Sequence, residues 1–190
     1  MLSTKQLEFN KTKFIETNKK FNIFNKELED FLGDDFFIAP ASTSLDMYGA
    51  YPGGLLHHLL KSCGYSIKLN DLLPEKIKQP IESIVKSIFL SQIGKVFMFE
   101  MNTNKWEIEN LGKMYIFKDD DIKLKTGERT IYYIMKYGID INENEFHAIV
   151  SLDKMEDDKI IKTSPTMLSQ IVKMGFNMAI IEEKYGQNKN

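Results

Sequence analysis

The 190-residue sequence has few of the residues that form covalent, metal-binding or cofactor-binding motifs. Its one cysteine, Cys63, excludes an internal disulfide, so a reducing compartment is the expected location. The three histidines form no H-E-x-x-H motif, and the chain has neither a C-x-x-C pair nor a glycine-rich phosphate loop. The opening residues lack the apolar core of a secretory signal, and no apolar run approaches the ~18 residues of a membrane span. We therefore expect no cofactor and no membrane partner.

The balance of charges narrows the choice of partners further. The chain carries 25 Lys and Arg against 27 Asp and Glu, a formal net charge of −2. A nucleic-acid or anionic-membrane partner would favour a basic excess, so neither is expected. Apolar residues make up 43 % of the chain, which is enough for one folded core without a metal or disulfide.

Apolar residues recur at helical spacing along most of the chain. We call Phe21, Phe24, Leu28, Phe31 and Leu32 the N-terminal stripe. This stripe fits either a helix packed on its own domain or an arm that binds a partner protein. In the segment that begins at Thr126, we expect Ile131, Tyr132, Ile134 and Met135 to face the core. The predicted helical segments are Lys5 to Leu32 with one break, Leu55 to Leu69, Pro80 to Ile93, Thr126 to Gly138, Asn142 to Leu152, and Ser164 to Gly186.

Two regions depart from this helical pattern. Residues Asp34 to Gly54 are punctuated by glycine and proline and predict an ordered loop, which at this length is often functional. The segments KVFMFE, KWEIE and KMYIF are short, aromatic and β-branched, and predict a two- or three-stranded β excursion. The sequence thus predicts a mostly α protein of about six helices with one small β insertion.

The stretch DDFFIAPASTSLDMYGAYPGGLLHHLL resembles the opening of a family of HD-domain hydrolases of bacteria and tailed phages. Members of that family carry DFF-x-APAST followed by H-G-x-Y-x-G-G-L-x-E-H-S-L. FLSQIGKV, IKLKTGERTIYYI, NENEFHAIVSLDK and MLSQIVKMGFNMAIIEE follow in the order of later family segments. The resemblance implies an HD-domain-like helical bundle at 34–186, a β insertion at about 95–118, and an N-terminal helical extension at 1–33.

This resemblance also shows which family residues are missing. HD enzymes of this kind hold one or two divalent metal ions with histidines and aspartates from several helices, and the metal activates water and clamps a phosphate oxygen. His58 matches the first histidine, and Lys95 matches a retained lysine. Tyr48 replaces an accessory histidine, and His57 replaces a glutamate. Other residues stand at the remaining ligand positions: Ser91 and Gln92 for the His-Asp doublet, then Thr126, Leu152 and Phe176, with Lys173 for the histidine before the last aspartate.

One remaining imidazole cannot hold a divalent ion, which needs about three His, Cys or carboxylate ligands. We therefore expect no metal site, with His58, Ser91, Gln92, Thr126, Leu152 and Phe176 as its vestige. The first hypothesis is a catalytically inactive scaffold that acts through a protein partner or self-assembly, either cytoplasmic or part of a phage particle.

Two alternatives remain open. One is a phosphohydrolase for nucleotides or other phosphate esters, with His57, His58 or Glu128 as acid and base groups. The other is a non-catalytic module that binds an anion or nucleotide through Lys95, Arg129 and Lys173.

Overall fold

A computed structural model of the chain describes residues 2–120, 122–153 and 165–186. It confirms the mostly α fold with a small antiparallel hairpin. In the described residues the helices are α1 (Thr4–Phe21), α2 (Lys26–Leu32), α3 (Asp35–Ile38), α4 (Gly54–Asp71), α5 (Ile81–Ser91), α6 (Lys105–Leu111), α7 (Thr126–Lys136), α8 (Glu143–Asp153) and α9 (Met167–Tyr185). The strands are β1 (Phe99–Met101) and β2 (Tyr115–Phe117), with Glu100 opposite Ile116. None of these helices combines the length and apolarity that a bilayer crossing requires.

The N-terminal helices pack onto the same core as the rest of the chain. The predicted break lies between α1 and α2, where Asn22 has a φ of 47°. The Asn18 side chain spans this break, because its Oδ1 accepts from the Phe24 amide at 2.7 Å and its Nδ2 donates to the Phe24 carbonyl. The ring of Phe14 lies 4.8 Å from that of Phe36 and 5.2 Å from that of Phe89. Phe24, Leu28 and Leu32 of the N-terminal stripe are buried in this core, while the domain boundary at residue 33 stays a prediction.

The segment predicted as a loop from Asp34 to Gly54 contains one helical turn, α3, so that prediction was wrong for four residues. Phe36 is buried in the core, which stabilises the turn. The rest of the segment folds back onto the start of α4. Gly49 has a φ of +63°, and a Cβ on Gly54 would lie 2.6 Å from the Gly49 carbonyl carbon, so this crossing requires glycine.

The β excursion has two strands, and KWEIE, predicted as a possible strand, forms α6 instead. Asn104 caps this helix, because its Oδ1 accepts from the amides of Trp106 at 3.1 Å and Glu107 at 3.3 Å. Gly112 ends the helix with a φ of 59°. The alternation of apolar and polar residues was therefore outweighed by capping residues at both ends.

The prediction for the core-facing side of helix α7 was right for two of its four residues. Ile134 is buried and Ile131 packs against the core, but Tyr132 and Met135 are exposed and Tyr133 is buried instead. Thr130 fixes the rotation of the helix, since its Oγ1 accepts from the Gly94 amide at 3.1 Å and lies 3.3 Å from the Ser91 carbonyl.

Helices α4 and α9 pack closely and form the centre of the fold. A Cβ on Gly175 of α9 would lie 2.7 Å from the Ser66 amide nitrogen of α4, so a side chain there would separate the two helices.

Helix α9 begins at Met167, two residues after the predicted proline start, because Thr166 caps it by accepting from the Ser169 amide. Ser164 lies outside the described residues. The predicted capping box of Asn142 and Glu145 at α8 is confirmed by reciprocal bonds of 3.0 Å.

Candidate functional site

His58 lies inside the fold, between the loop 39–53 and helix α9. Its side chain is fully buried. The Tyr48 ring lies 4.3 Å from the imidazole, and the Phe176 ring meets it edge-on at 4.4 Å. Two aromatic rings therefore occupy the space around the one histidine that matches the family's ligand set.

Glu183 is the residue of this site that the sequence reasoning missed. Its side chain is 8 % exposed, and its Oε1 accepts from the Gly49 amide at 2.7 Å and from the Tyr51 hydroxyl at 2.9 Å. Its Oε2 lies 3.6 Å from His58 Nδ1, which is beyond hydrogen-bond distance, and neither atom has a hydrogen-bond partner among the described residues. A carboxylate seven residues after Phe176 lies on nearly the same face of a helix, and this periodicity was the available signal.

His57 joins the cluster through Tyr51. The Tyr51 hydroxyl lies 2.9 Å from His57 Nδ1 and also donates to Glu183. Because a hydroxyl has one hydrogen, we assign the proton of His57 to Nδ1, which donates to the Tyr51 oxygen. The hydrogen bonds thus run in one direction, from His57 through Tyr51 to Glu183.

Lys95, which matches a lysine of the family that the sequence resembles, connects the end of helix α5 to the loop 39–53. Its Nζ donates to the Ala41 carbonyl at 2.8 Å and to the Tyr48 hydroxyl at 3.0 Å. The ammonium also lies 5.1 Å from the centre of the Tyr48 ring. Its contacts stabilise the loop, and they are with this chain's own groups.

Burial and hydrogen bonding set the charges of this cluster. Burial lowers the pKa of His58 and outweighs the nearby Glu183 carboxylate, so the imidazole is neutral at pH 7. Burial alone would raise the pKa of Glu183, but His58, the Tyr51 hydroxyl and the Gly49 amide lower it. Burial raises the pKa of Tyr51, and the nearby Glu183 carboxylate raises it further. The site therefore holds one carboxylate beside two tyrosines, two histidines and the Lys95 ammonium.

The other residues at family ligand positions serve the packing of the core. Ser91 is buried, and its hydroxyl donates to the Ile88 carbonyl at 2.8 Å. Gln92 is 4 % exposed, and Leu152 packs half-buried against the core. Thr126 Oγ1 lies 3.7 Å from the sulfur of Met98.

The proposed anion-binding cations have separate surroundings. Arg129 donates from Nη2 to Asp120 at 2.8 Å, and its side chain is 12 % exposed. It lines a pocket of about 240 Å³ that also contains Lys118, Lys123, Asp119 and Asp120. Lys173 is exposed on α9. The acid–base candidate Glu128 is exposed and caps α7 by accepting from the Lys125 amide.

The donor groups of the site do not fit a divalent metal ion. His58 and Glu183 supply one imidazole and one carboxylate oxygen, and Phe176 and Tyr48 cover the imidazole. Within the described ranges, no group of three or more His, Cys, Asp or Glu side chains is placed to hold a metal ion. The arrangement can anchor a loop by hydrogen bonds and can exchange protons, but it lacks the ligand number of a metal centre.

Comparisons of the chain with known protein families, curated proteins and solved structures give no match. The resemblance to HD-domain hydrolases therefore depends on the quoted residues alone and stays a proposal.

Proposed function

We propose that the chain is a non-catalytic, HD-like helical scaffold that acts through contacts with other proteins. The observation that carries this proposal is the closure of His58 between Tyr48 and Phe176. In a metal-dependent hydrolase this imidazole would have to reach both a metal ion and solvent-accessible substrate. Here the ring packs as part of an aromatic cluster.

The polar groups around His58 support the same reading, because their bonds hold the fold. Glu183 accepts from Gly49 and Tyr51, and Lys95 donates to Ala41 and Tyr48. These bonds attach the loop 39–53 to α9 and to the end of α5. Glu183 Oε1 and the Lys95 ammonium are thus engaged with the chain itself, as expected for a former site that contributes to stability, whereas Glu183 Oε2 and both ring nitrogens of His58 have no hydrogen-bond partner among the described residues.

Exposed apolar side chains on the β excursion support an interaction role. Four of them are between 54 % and 73 % exposed, Met101, Trp106, Leu111 and Phe117, and Leu45 of the neighbouring loop is 60 % exposed. The Leu45 amide donates to the Gly112 carbonyl at 2.9 Å, which fixes the loop beside the C-terminal end of α6. Large exposed apolar groups on one appendage favour contact with another protein.

Metal analysis with a phosphohydrolase screen in Mn²⁺, Mg²⁺ and Ni²⁺ tests the loss of catalysis. We expect sub-stoichiometric metal and no turnover of nucleotides or other phosphate esters. His58→Gln removes the imidazole that matches the family's metal ligand, and His57→Gln is the matched control at the adjacent position. One tightly bound metal per chain, or a turnover lost in His58→Gln and kept in His57→Gln, would overturn the proposal.

The phage assignment follows only from the resemblance and has its own test. We propose that the scaffold is a structural or accessory component of a tailed-phage particle. Stoichiometric amounts of the chain in purified virions are the expected result. Its restriction to the host cytoplasm during infection would contradict this part and leave the loss of catalysis to be judged by the metal assay.

One observation favours an anion-binding module as a second candidate. The buried Nε of Arg129 has no hydrogen-bond partner among the described residues, and the guanidinium lines the 240 Å³ pocket. A small anion could use this donor, although Asp119 and Asp120 compete for the cations there. Phosphate or nucleotide binding in calorimetry that is lost in Arg129→Gln and retained in Lys173→Gln would support this candidate, and no binding would exclude it.

A further inference from the structure

Helix α9 carries a second apolar face that the core does not cover. Five large side chains on it are 40–69 % exposed, and we call them the α9 stripe: Met167, Met174, Met178, Ile181 and Tyr185. Phe176 lies about 180° around the helix from Tyr185, at 100° per residue. The stripe therefore faces away from the site at His58, and it has no role in that site.

The spacing of the α9 stripe is that of a helix–helix seam. Successive members lie seven, four, three and four residues apart. This is the alternation of three and four that places apolar residues at the a and d positions of a coiled coil. Ile171 occupies the one position missing from the series, and it is buried at the edge of the core. The stripe thus offers about five turns of seam to another helix.

The α9 stripe is also complementary to itself when a second helix runs in the opposite direction. Reversal about position 176 exchanges Met167 with Tyr185 and Met174 with Met178, while Ile181 falls opposite Ile171, the buried member of the series. An interface with two-fold symmetry requires this relation, since each residue that contacts a second one must be contacted by it in return. We propose that two copies of the chain dimerise by antiparallel pairing of their α9 stripes.

The polar residues beside the stripe are compatible with this pairing. Along the exposed flank lie Gln170, Asn177 and Lys184, none of which is acidic. The same reversal places Gln170 level with Glu182 of the second copy, Asn177 with Gly175 and Lys184 with Leu168. No like charges meet along this flank, so the pairing has no electrostatic cost there.

The area of the α9 stripe is sufficient for a specific dimer. Five large side chains at these exposures offer on the order of 500 Å² per copy, so pairing buries on the order of 1,000 Å² in total, which a specific interface must reach. Methionine side chains suit such a contact because they are flexible and polarizable. The dimer goes beyond the proposed function, since an enzyme could use the same face.

The mass of the protein in solution, measured by sedimentation equilibrium over a concentration series, tests the dimer. We expect twice the chain mass of 22.1 kDa for the wild type. Met174→Glu should raise the dissociation constant about 100-fold or more, because the symmetry places the buried charge twice near the centre. Met135→Glu is the matched control, since Met135 is 76 % exposed on α7, and it should leave the dimer intact.

The direction of pairing is tested by the double variant Met174→Glu/Met178→Lys. Antiparallel pairing sets Glu against Lys of the second copy at both places, so this variant should dimerise more tightly than Met174→Glu alone. Parallel pairing would set like charges together and leave it monomeric. A monomeric wild type, a dimer that Met174→Glu leaves unchanged, or a monomeric double variant would each overturn the proposal, and none would alter the result of the metal assay.

Discussion

Glu183→Gln should destabilise the fold by about 2 kcal/mol at pH 7. Hydrogen bonds to a charged group contribute about 1.5–3 kcal/mol against about 0.5–1.5 for neutral ones, so each of two bonds loses about 1 kcal/mol. The two bonds are those from the Gly49 amide and the Tyr51 hydroxyl. Glutamine keeps the shape of the side chain, so the loss reports on the charge and leaves packing unchanged.

The pH dependence separates this effect from a packing defect. The pKa of Glu183 in the folded state is lowered from 4.5, so its carboxylate stabilises the fold above pH 4.5. That contribution is lost as the pH falls through the lowered folded pKa. The difference between the wild type and Glu183→Gln should therefore be largest near pH 7 and should shrink below pH 4.5.

Urea denaturation at a series of pH values measures this difference. Glu182→Gln is the matched control on the same helix, because the Glu182 side chain is 42 % exposed and pairs with Lys61 at 3.2 Å. Such a surface pair contributes about 0–1 kcal/mol. A loss in Glu183→Gln no larger than that of the control, or one that stays constant from neutral to acid pH, would refute the assigned role of the carboxylate.

Three further predictions concern packing and the loop anchor. Gly175→Ala should lower the free energy of unfolding by about 1–3 kcal/mol, because its Cβ would press on Ser66. Gly64→Ala should raise the free energy of unfolding by about 0.5–1 kcal/mol, because Gly64 lies on α4 with open space around it. Thermal melting measures both changes. Burial raises the pKa of Cys63 to about 12, so at pH 8 it should react with a thiol reagent about 1,000-fold more slowly in the native than in the unfolded chain. Lys95→Met removes two hydrogen bonds to the loop and should cost about 1–3 kcal/mol in urea denaturation, and an unchanged midpoint would contradict its anchoring role.

The helices were predictable because their apolar spacing is regular and their ends carry capping residues. The bounds of α4 differ from prediction by one residue at the start and two at the end. The segment KWEIE was wrongly predicted as a strand because its apolar and polar residues alternate. The residues on either side of it favour a helix instead: the Asn104 side chain caps the start, and Gly112 ends the helix with a positive φ. The side of α7 that faces inward depended on Thr130 and its long-range bonds, which local sequence does not contain.

The candidate site was only partly predictable, because its contacts join residues that are far apart in the sequence. The resemblance directed attention to His58 and Lys95, and the structure places both beside Tyr48. Glu183 meets Gly49 and Tyr51 across more than 130 residues, so their contact follows from the packing of α9 on α4 and the loop. Sequence periodicity could indicate that Glu183 is buried, but it could not identify its partners.

The contacts of this cluster account for the burial of Glu183 and the position of Lys95 without a metal ion. A buried carboxylate is costly unless hydrogen bonds or a cation compensate it. In a metal site the cation supplies this compensation, whereas here the Gly49 amide and the Tyr51 hydroxyl supply it to Glu183. Lys95 likewise bonds a loop carbonyl, so its position is explained by the stability of the loop. A match to a family motif residue therefore carries no information about catalysis until its effect on stability has been measured separately from any effect on turnover.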